Sequence, residues 1–337
     1  TAALILTVTS IEGKLSTFTI NQASSGAAIG VLPTNSNTNY FSQTVTEHVT
    51  AQLHDAWRVS QSLRFGAFVP FDQSKLADTY QVAGELGFDR IFRVDALGLV
   101  ARAELADFVQ PRDPTTDVPL GFDQRQVLLS LVGRWRRDWS PSWSTEAALG
   151  GVAVVGSTAD PTATTQTAWR PSALAALRWS RDVGSAVLRY SHEVSPNALA
   201  GRTFDTDGVA LQAAFPVVRA KMYFGATVGY QHAQNLSLVA GGQEASAEVV
   251  LVDGTVGWTP IPELNVFARY ALFDQFGSPP VMNMAALLGD ITRHTVMLGL
   301  TVIYPAAPTA LVATGPGTRV DRTDQPDFPE VHATEPK

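Results

Sequence analysis

Apolar residues recur at every second position through much of this chain. In residues 263–273 the alternating apolar set is Leu264, Val266, Ala268, Tyr270 and Leu272. The same alternation marks residues 61–70, 168–179, 219–231 and 293–304. Side chains two residues apart lie on the same face of a β-strand, whereas a helix repeats every 3.6 residues. The spacing therefore predicts many strands, each with one continuous apolar face.

The alternating segments pair into hairpins. Short connectors are predicted near 56–60, 89–92, 139–141, 180–183, 215–218 and 259–262. Longer loops rich in Gly, Asn, Asp and Pro separate the pairs at 21–43, 71–78, 108–123, 157–166, 195–204, 233–244 and 276–290. Six hairpins, a first strand within 2–20 and a last strand at 291–304 give about fourteen strands. Residues 1–20 fit one long strand, or two short strands that turn at Glu12-Gly13.

Composition and loop lengths favour a membrane barrel over a soluble β-protein. Only 16% of the 337 residues are charged and 45% are hydrophobic, whereas a typical domain is about a quarter charged. No stretch of apolar residues is long enough for a transmembrane helix. A soluble sandwich or propeller also alternates, but it does not require loops that are short and long in turn. The sequence predicts an all-β fold, a transmembrane antiparallel β-barrel spanning residues 1–304.

Tryptophans lie beside the predicted short connectors. Six of the seven do so: Trp57, Trp135, Trp139, Trp143, Trp179 and Trp258. Around Ser140-Pro141-Ser142 the spacing of three of them suggests a helix face, but Pro141 would break a helix and is tolerated in a turn. An indole ring has an apolar body and a polar N–H, so it suits the boundary between hydrocarbon and water. We predict that these six residues form an interface girdle.

If the apolar rows face lipid, the alternate rows face the lumen. The lumen cations are then Arg64, Arg102, Arg134, Arg136, Arg170, Arg178, Arg189, Lys221, Arg269 and Arg293. The lumen acids by the same rule are Glu85, Glu104, Glu146, Glu193 and Asp253. This leaves a positive interior in a chain whose net charge is −7. Part of the set is expected to form Arg–Glu pairs that stiffen the wall, and the remaining cations to favour anions in the pore.

The closing segment HTVMLGLTVIY (294–304) places Gly299 before apolar residues and ends in Tyr304. This segment and the strand architecture resemble the outer-membrane β-barrel proteins of Gram-negative bacteria, including porins. The resemblance implies residence in the outer membrane, short turns in the periplasm, long loops outside, and contact with lipid and lipopolysaccharide. LRYSHEVSPNALAG (188–201) is similar to barrels associated with exopolysaccharide export. Unlike many such barrels, this chain continues past its terminal aromatic residue.

Two functions remain open from the sequence. The first is an outer-membrane channel for small, anionic solutes or for an anionic glycan. The second is a structural or scaffold barrel in a multi-protein envelope complex, with a plugged lumen. Residues 305–337, rich in Pro, Thr and Asp, predict an extended periplasmic tail, which either docks a periplasmic or envelope protein or is a passive extension.

Other functional classes find little support in the residues. There are no cysteines, so neither disulfides nor thiolate chemistry is available. No Gly-x-Ser-x-Gly or HExxH pattern is present, and we expect no enzyme, no cofactor and no metal site. His192 and Glu193 are adjacent, so their side chains point to opposite faces of a strand and cannot easily cooperate in a rim hydrolase. The acidic balance disfavours nucleic-acid binding.

Overall fold

The computed structural model describes residues 2–14, 39–54, 56–71, 77–110, 123–158, 166–197, 202–217, 221–236, 246–261, 264–278 and 290–302. These residues form fourteen β-strands. In chain order they are β1 Ala2–Lys14, β2 Asn39–His54, β3 Trp57–Pro70, β4 Asp78–Ile91, β5 Asp95–Val109, β6 Gln124–Ser140, β7 Trp143–Thr158, β8 Gln166–Arg181, β9 Gly184–Asn197, β10 Arg202–Val217, β11 Met222–Asn235, β12 Ser246–Ile261, β13 Leu264–Ser278 and β14 Ile291–Val302. Within these ranges there is no helix with the length and apolarity needed to cross a membrane.

The fourteen strands form a single antiparallel sheet, and strands that are consecutive in the sequence are hydrogen-bonded to each other. Seven of the thirteen intervals between strands hold two to four residues, and six of these seven join the strands of the predicted hairpins. The intervals that separate those hairpins hold from four residues, between β9 and β10, up to 24 residues. The predicted strand number and hairpin order are therefore confirmed. The first strand is one continuous element, because Glu12 and Gly13 pair with Phe41 and Tyr40 instead of forming a turn.

One face of the sheet carries large apolar side chains that no other part of the described chain covers. On β14, Val296 is 73% exposed and Leu298 is 82% exposed, and the other strands show similar rows. A soluble protein would bury such rows, and a contiguous apolar surface of this extent requires a lipid environment. The opposite face carries the buried polar residues. This is the architecture of an outer-membrane β-barrel, as the alternation predicted.

The sheet is strongly curved. The hydroxyl of Thr203 on β10 donates a hydrogen bond to Oε1 of Gln126 on β6. Strands lie about 4.8 Å apart within a sheet, so residues four strands apart in a flat sheet would be separated by about 19 Å. Their contact therefore brings two distant parts of the wall together inside the barrel. Because hydrocarbon tolerates no open strand edge, we expect β1 and β14 to complete the closure.

Side chains of the inner face are packed tightly at the end where the long intervals lie. Residues of β2–β7 and β10–β13, each no more than 4% exposed, form this loop-side layer: Tyr40, Phe68, Thr79, Phe108, Gln126, Leu128, Val154, Phe204, Ala233, Val249, Phe273 and Gln275. Several are aromatic or branched and fill interior volume efficiently. The inner face is therefore closely packed near the long loops.

Two aromatic rings of the inner face cover glycines on the next strand. Tyr223 of β11 lies over Gly257 of β12, and Phe267 of β13 lies over Gly299 of β14. A Cβ at either glycine would overlap the ring, so these positions need a residue without a side chain. Packing of an aromatic ring over a glycine in the neighbouring strand fixes their register. Gly299 of the closing segment thus has a packing role, while Tyr304 lies outside the described residues.

Several predicted boundaries were wrong. The connector placed at 89–92 starts too early, because β4 continues to Ile91 and includes Asp89. The loop placed at 195–204 is mostly strand, since β9 and β10 stay paired up to Asn197 and Arg202. The cause is the same in both cases: polar residues at strand ends look like loop residues in the sequence. The tail, residues 305–337, lies outside the described residues.

Candidate functional site

The predicted lumen cations are placed on the inner face by their registers, with one exception. Nine of them lie within strands: Arg64, Arg102, Arg134, Arg136, Arg170, Arg178, Arg189, Arg269 and Arg293. Lys221 instead occupies the turn before β11, where its carbonyl accepts a hydrogen bond from the amide of Thr259. Its place in the lumen wall therefore stays a prediction, because β11 begins one residue later than the alternation suggested.

The most deeply buried charges form one row across four strands. Arg58 of β3 pairs in register with Asp89 of β4, and Gly98 of β5 lies between Asp89 and Arg134 of β6. Nη2 of Arg58 lies 3.0 Å from Oδ2 of Asp89. Nε of Arg134 donates to Oδ1 of Asp89 at 2.6 Å, and its Nη2 contacts the second carboxylate oxygen. One buried carboxylate is thus shared by two arginines.

Gly98 makes the second of these pairs possible. A Cβ at this position would overlap Oδ1 of Asp89 and lie 3.1 Å from Nε of Arg134. Arg134 therefore reaches across β5 only because the intervening residue has no side chain. Sequence analysis missed Arg58 and Asp89, since both were assigned to connectors. The alternation of the sequence could have identified Arg58 as an inner-face residue, because Arg58 continues the row of Ser60, Ser62 and Arg64.

Most of the other inner-face cations also have acidic partners. The closest nitrogen–oxygen distances are 2.6 Å for Arg102–Glu104, 3.2 Å for Arg136–Asp138, 3.0 Å for Arg178–Glu146 and 2.5 Å for Arg269–Asp253. The Arg136 and Arg178 side chains are 23% and 26% exposed, so neither is sealed from solvent. Pairing stiffens the wall, and the partial exposure leaves the guanidinium groups able to meet an ion in the lumen.

A positive excess is concentrated in the half of the barrel nearest the short turns. We call these groups the turn-side cluster: Arg58, Arg134, Arg136, Arg178 and Arg189, with the carboxylates of Asp89, Asp138 and Glu146. Five cations therefore face three anions. Near mid-strand, by contrast, Arg64 and Arg102 are balanced by Glu85 and Glu104. A cation excess between low-dielectric walls produces a positive potential that attracts anions.

His192 lies among acidic groups on the face opposite Glu193, as the alternation predicted. Its Nδ1 is 2.8 Å from Oδ1 of Asp207, and its Nε2 is 3.5 Å from Oδ1 of Asp205. Asp205 also lies 3.3 Å from Nε of Arg170. The histidine is therefore hydrogen-bonded to one carboxylate and lies near a second, and no nucleophile among the described residues is in contact with its ring. Among the described residues, no group of three or more His, Asp or Glu side chains is placed to hold a metal ion.

The six predicted girdle tryptophans all lie at the short-turn end, on the face opposite the turn-side cluster. They are Trp57, Trp135, Trp139, Trp143, Trp179 and Trp258. Trp139 is 58% exposed and Trp258 is 51% exposed. Arg137 stacks over Trp139 at 4.5 Å from the ring centre, and the indole N–H of Trp135 donates to Asp95 at 3.1 Å. Cations and hydrogen-bond acceptors beside the rings suit a boundary between lipid and water.

No family model and no curated protein matches this chain. Among solved structures, FpvA of P. aeruginosa, bound to pyoverdines, matches 74% of this chain and 45% of its own, with 12% identity and a TM-score of 0.45. The outer membrane receptor for alcaligin, FauA of Bordetella pertussis, matches 73% and 48%, with 14% identity and a TM-score of 0.43. The translocator domain of autotransporter NalP from Neisseria meningitidis matches 90% and 88%, with 13% identity and a TM-score of 0.29. The aligned parts amount to about half the length of FpvA and FauA.

Proposed function

We propose that this outer-membrane barrel passes small anionic solutes, drawing them in through the half that contains the short turns. The observation that supports this proposal is the turn-side cluster, in which five arginines face three carboxylates. Asp89 carries one negative charge and binds two arginines, so the formal charge of these three side chains together is positive. The net potential in the cavity attracts anions and repels cations.

Ion selectivity in planar bilayers tests the proposal. With potassium chloride gradients across the protein, we expect reversal potentials that favour chloride over potassium. The double substitution Arg136→Gln and Arg178→Gln keeps a polar, hydrogen-bonding side chain at each position while removing two partly exposed charges. It should lower the chloride-to-potassium permeability ratio by roughly two- to fivefold, since each lost charge weakens an attraction of about 1 kcal/mol or less at a solvated site.

Arg125→Gln is the matched control. Arg125 is 63% exposed on the outer face and pairs with Asp107 at 2.7 Å, so its charge does not face the lumen. Its removal should leave selectivity unchanged. Cation selectivity of the unmodified protein, or equal effects of the inner and outer substitutions, would contradict an anion-passing role. Added dextran sulfate separates the two substrate classes, because a barrel that takes an anionic glycan should be blocked by it.

A second candidate is a scaffold barrel whose lumen is plugged. It is supported by the loop-side layer, which packs the inner face near the long loops with side chains such as Tyr40, Phe108 and Phe204. Such a barrel should give no conductance steps at any voltage. The tail 305–337 would then be the part that docks an envelope protein, and its deletion should remove a co-purifying partner.

We propose no catalytic role for the chain. His192 is the best candidate base among the described residues, but its ring nitrogens already face Asp207 and Asp205. A hydrolase would need a nucleophile within hydrogen-bond reach of that base. Hydrolysis of a chromogenic ester or glycoside that is lost in His192→Asn would overturn this assignment.

A further inference from the structure

The ladder between β8 and β9 stops well before the long-loop end. Its last pair is Ala173 with His192, and within the described chain no ladder pair joins residues 166–172 to residues 193–197. Both segments remain extended strands. Residues 166–172 stay paired with β7, and residues 193–197 stay paired with β10. The wall is therefore parted between β8 and β9 in its outer half, and we call this parting the seam.

The hairpin tip, meaning residues 193–197 of β9 and 202–206 of β10, lies on the inner side of β8 at the seam. Val194 has the same strand parity as Tyr190, which is 40% exposed on the outer face, yet Val194 is only 9% exposed. It packs in one cluster with Leu128, Val152 and Val154, all from the inner face of β6 and β7. The face of the tip that would touch lipid in a continuous wall thus packs against the inner wall.

Two further contacts show the same overlap. Thr203, again of outward parity, is fully buried and donates to Gln126 of the inner face. Asp205, next but one along β10, reaches Arg170 of β8 at 3.3 Å. His192 lies beside Asp205 and Asp207 where the ladder ends. Among the described residues, the two lips of the seam are therefore held together by side chains, which are apolar toward the inside and charged at the junction.

Opening the wall at the seam requires less free energy than opening it between any two fully paired strands. Elsewhere, separating two strands breaks a ladder of backbone hydrogen bonds, and each group left unpaired in hydrocarbon costs several kcal/mol. At the seam no β8–β9 ladder has to break. The axial path, in contrast, passes the closely packed side chains of the loop-side layer, which hinder a bulky molecule more than they hinder a small ion. A molecule that has entered the lumen from the short-turn half thus finds its least hindered exit sideways.

We propose that the seam is a lateral gate through which an anionic amphiphile passes between the lumen and the outer leaflet. This rests on the proposed function and names its substrate class. The head group is anionic because the turn-side cluster attracts negative charge. The tail is apolar because the seam opens onto the lipid-facing row, where Trp169 is 73% exposed. Inward movement of the tip closes the gate, and the Arg170–Asp205 pair retains it.

Access from the bilayer to the inner side of the seam tests the gate. The chain has no cysteine, so Ala168→Cys, which lies against the Val194 cluster, introduces a unique thiol. Ala148→Cys on the inner face of β7, in a wall with complete ladders on both sides, is the matched control. In nanodiscs, a maleimide on an alkyl chain confined to the lipid should label Ala168→Cys roughly tenfold faster than the control, through local opening.

Further variants test whether labelling of the thiol depends on opening of the seam and on an anionic head group. Asp205→Asn removes the charged contact across the seam and should raise labelling of Ala168→Cys by roughly threefold. Val194→Cys, on the other lip, supplies a second reporter that should be labelled in the same way. Dodecyl phosphate should protect the thiol more strongly than dodecyl maltoside at equal concentration. Equal labelling of positions 168 and 148 would overturn the gate, and equal protection would overturn the anionic head group.

The outcome is separable from that of the proposed function. Lipid-confined labelling reports access through the wall and does not require conductance. Rapid labelling in a protein without chloride selectivity would leave the gate standing and remove the anion-passing role. Chloride selectivity without lateral labelling would do the reverse.

Discussion

At the scale of single residues, Asp89 is the charge on which the inner wall depends most. It is 2% exposed and is the hydrogen-bond acceptor for Arg58 and Arg134. Charges removed from water are tolerated only when paired, and loss of one partner leaves an uncompensated ion. The shared carboxylate therefore holds β3, β4 and β6 in a fixed relation across the glycine of β5.

We predict that Asp89→Asn destabilises the barrel strongly. The substitution preserves shape but removes the carboxylate charge that two arginines share, and Arg58 is only 8% exposed as a side chain. The free energy of unfolding in lipid vesicles, measured by denaturant titration, should fall by roughly 3–5 kcal/mol. Asp107→Asn, which breaks the exposed pair with Arg125, should cost less than about 1 kcal/mol. Similar losses in both variants would show that the buried row has no special role.

At the scale of elements, paired strands are fixed in register by interlocking shapes. Phe267 of β13 lies over Gly299 of β14, and Tyr223 of β11 lies over Gly257 of β12. Such contacts combine apolar burial with a position that only one register satisfies. They also explain why glycines occur inside strands, where they are otherwise unfavourable.

Gly299→Ala should therefore impair the pairing of the last two strands. The added methyl overlaps the Phe267 ring, and overpacking of a well-filled site costs about 1–3 kcal/mol. Gly254→Ala is the control, since a Cβ there meets nothing within 4 Å, and its stability should stay within about 0.5 kcal/mol of the parent. Urea titration of both variants, with the heat-modified gel shift of folded barrels as a second readout, decides the matter. A neutral Gly299→Ala would mean that the ring is free to move aside.

At the scale of the whole molecule, the rows of side chains on the outer face are surrounded by lipid hydrocarbon. Large apolar side chains on strand after strand are open to the surroundings, while arginine and aspartate are buried inside. This inversion of the usual soluble pattern is stable only in a membrane. The lumen charges, the seam and the orientation of the barrel all depend on it.

A charge introduced on the outer face should destabilise the barrel most where that face contacts lipid. Leu131, 59% exposed near the middle of β6, would become a cation at membrane depth in Leu131→Arg. The cost should be roughly 2–4 kcal/mol, against about 0–1 kcal/mol for Val183→Arg in the short turn between β8 and β9, where water is near. Both values follow from denaturant titration in vesicles. If the two substitutions cost the same, the outer rows do not lie in hydrocarbon.

The sequence by itself determined the number of strands, their order and the face on which most strand residues lie. These follow from the alternation of side chains along an extended backbone, which is a local property. Local pattern also placed Arg102, Arg136 and Arg178 on the inner face before any partner was known.

Only the tertiary structure decided which groups meet. Arg134 and Asp89 are two strands apart and join only because Gly98 lies between them, and Val194 leaves the lipid-facing row only because the tip turns inward over β8. The curvature of the sheet, the register of its strands and the residue at which the β8–β9 ladder ends each result from small contributions of many strands. No single stretch of the sequence contains all of these contributions. The shared carboxylate and the seam can therefore be identified only in the assembled sheet.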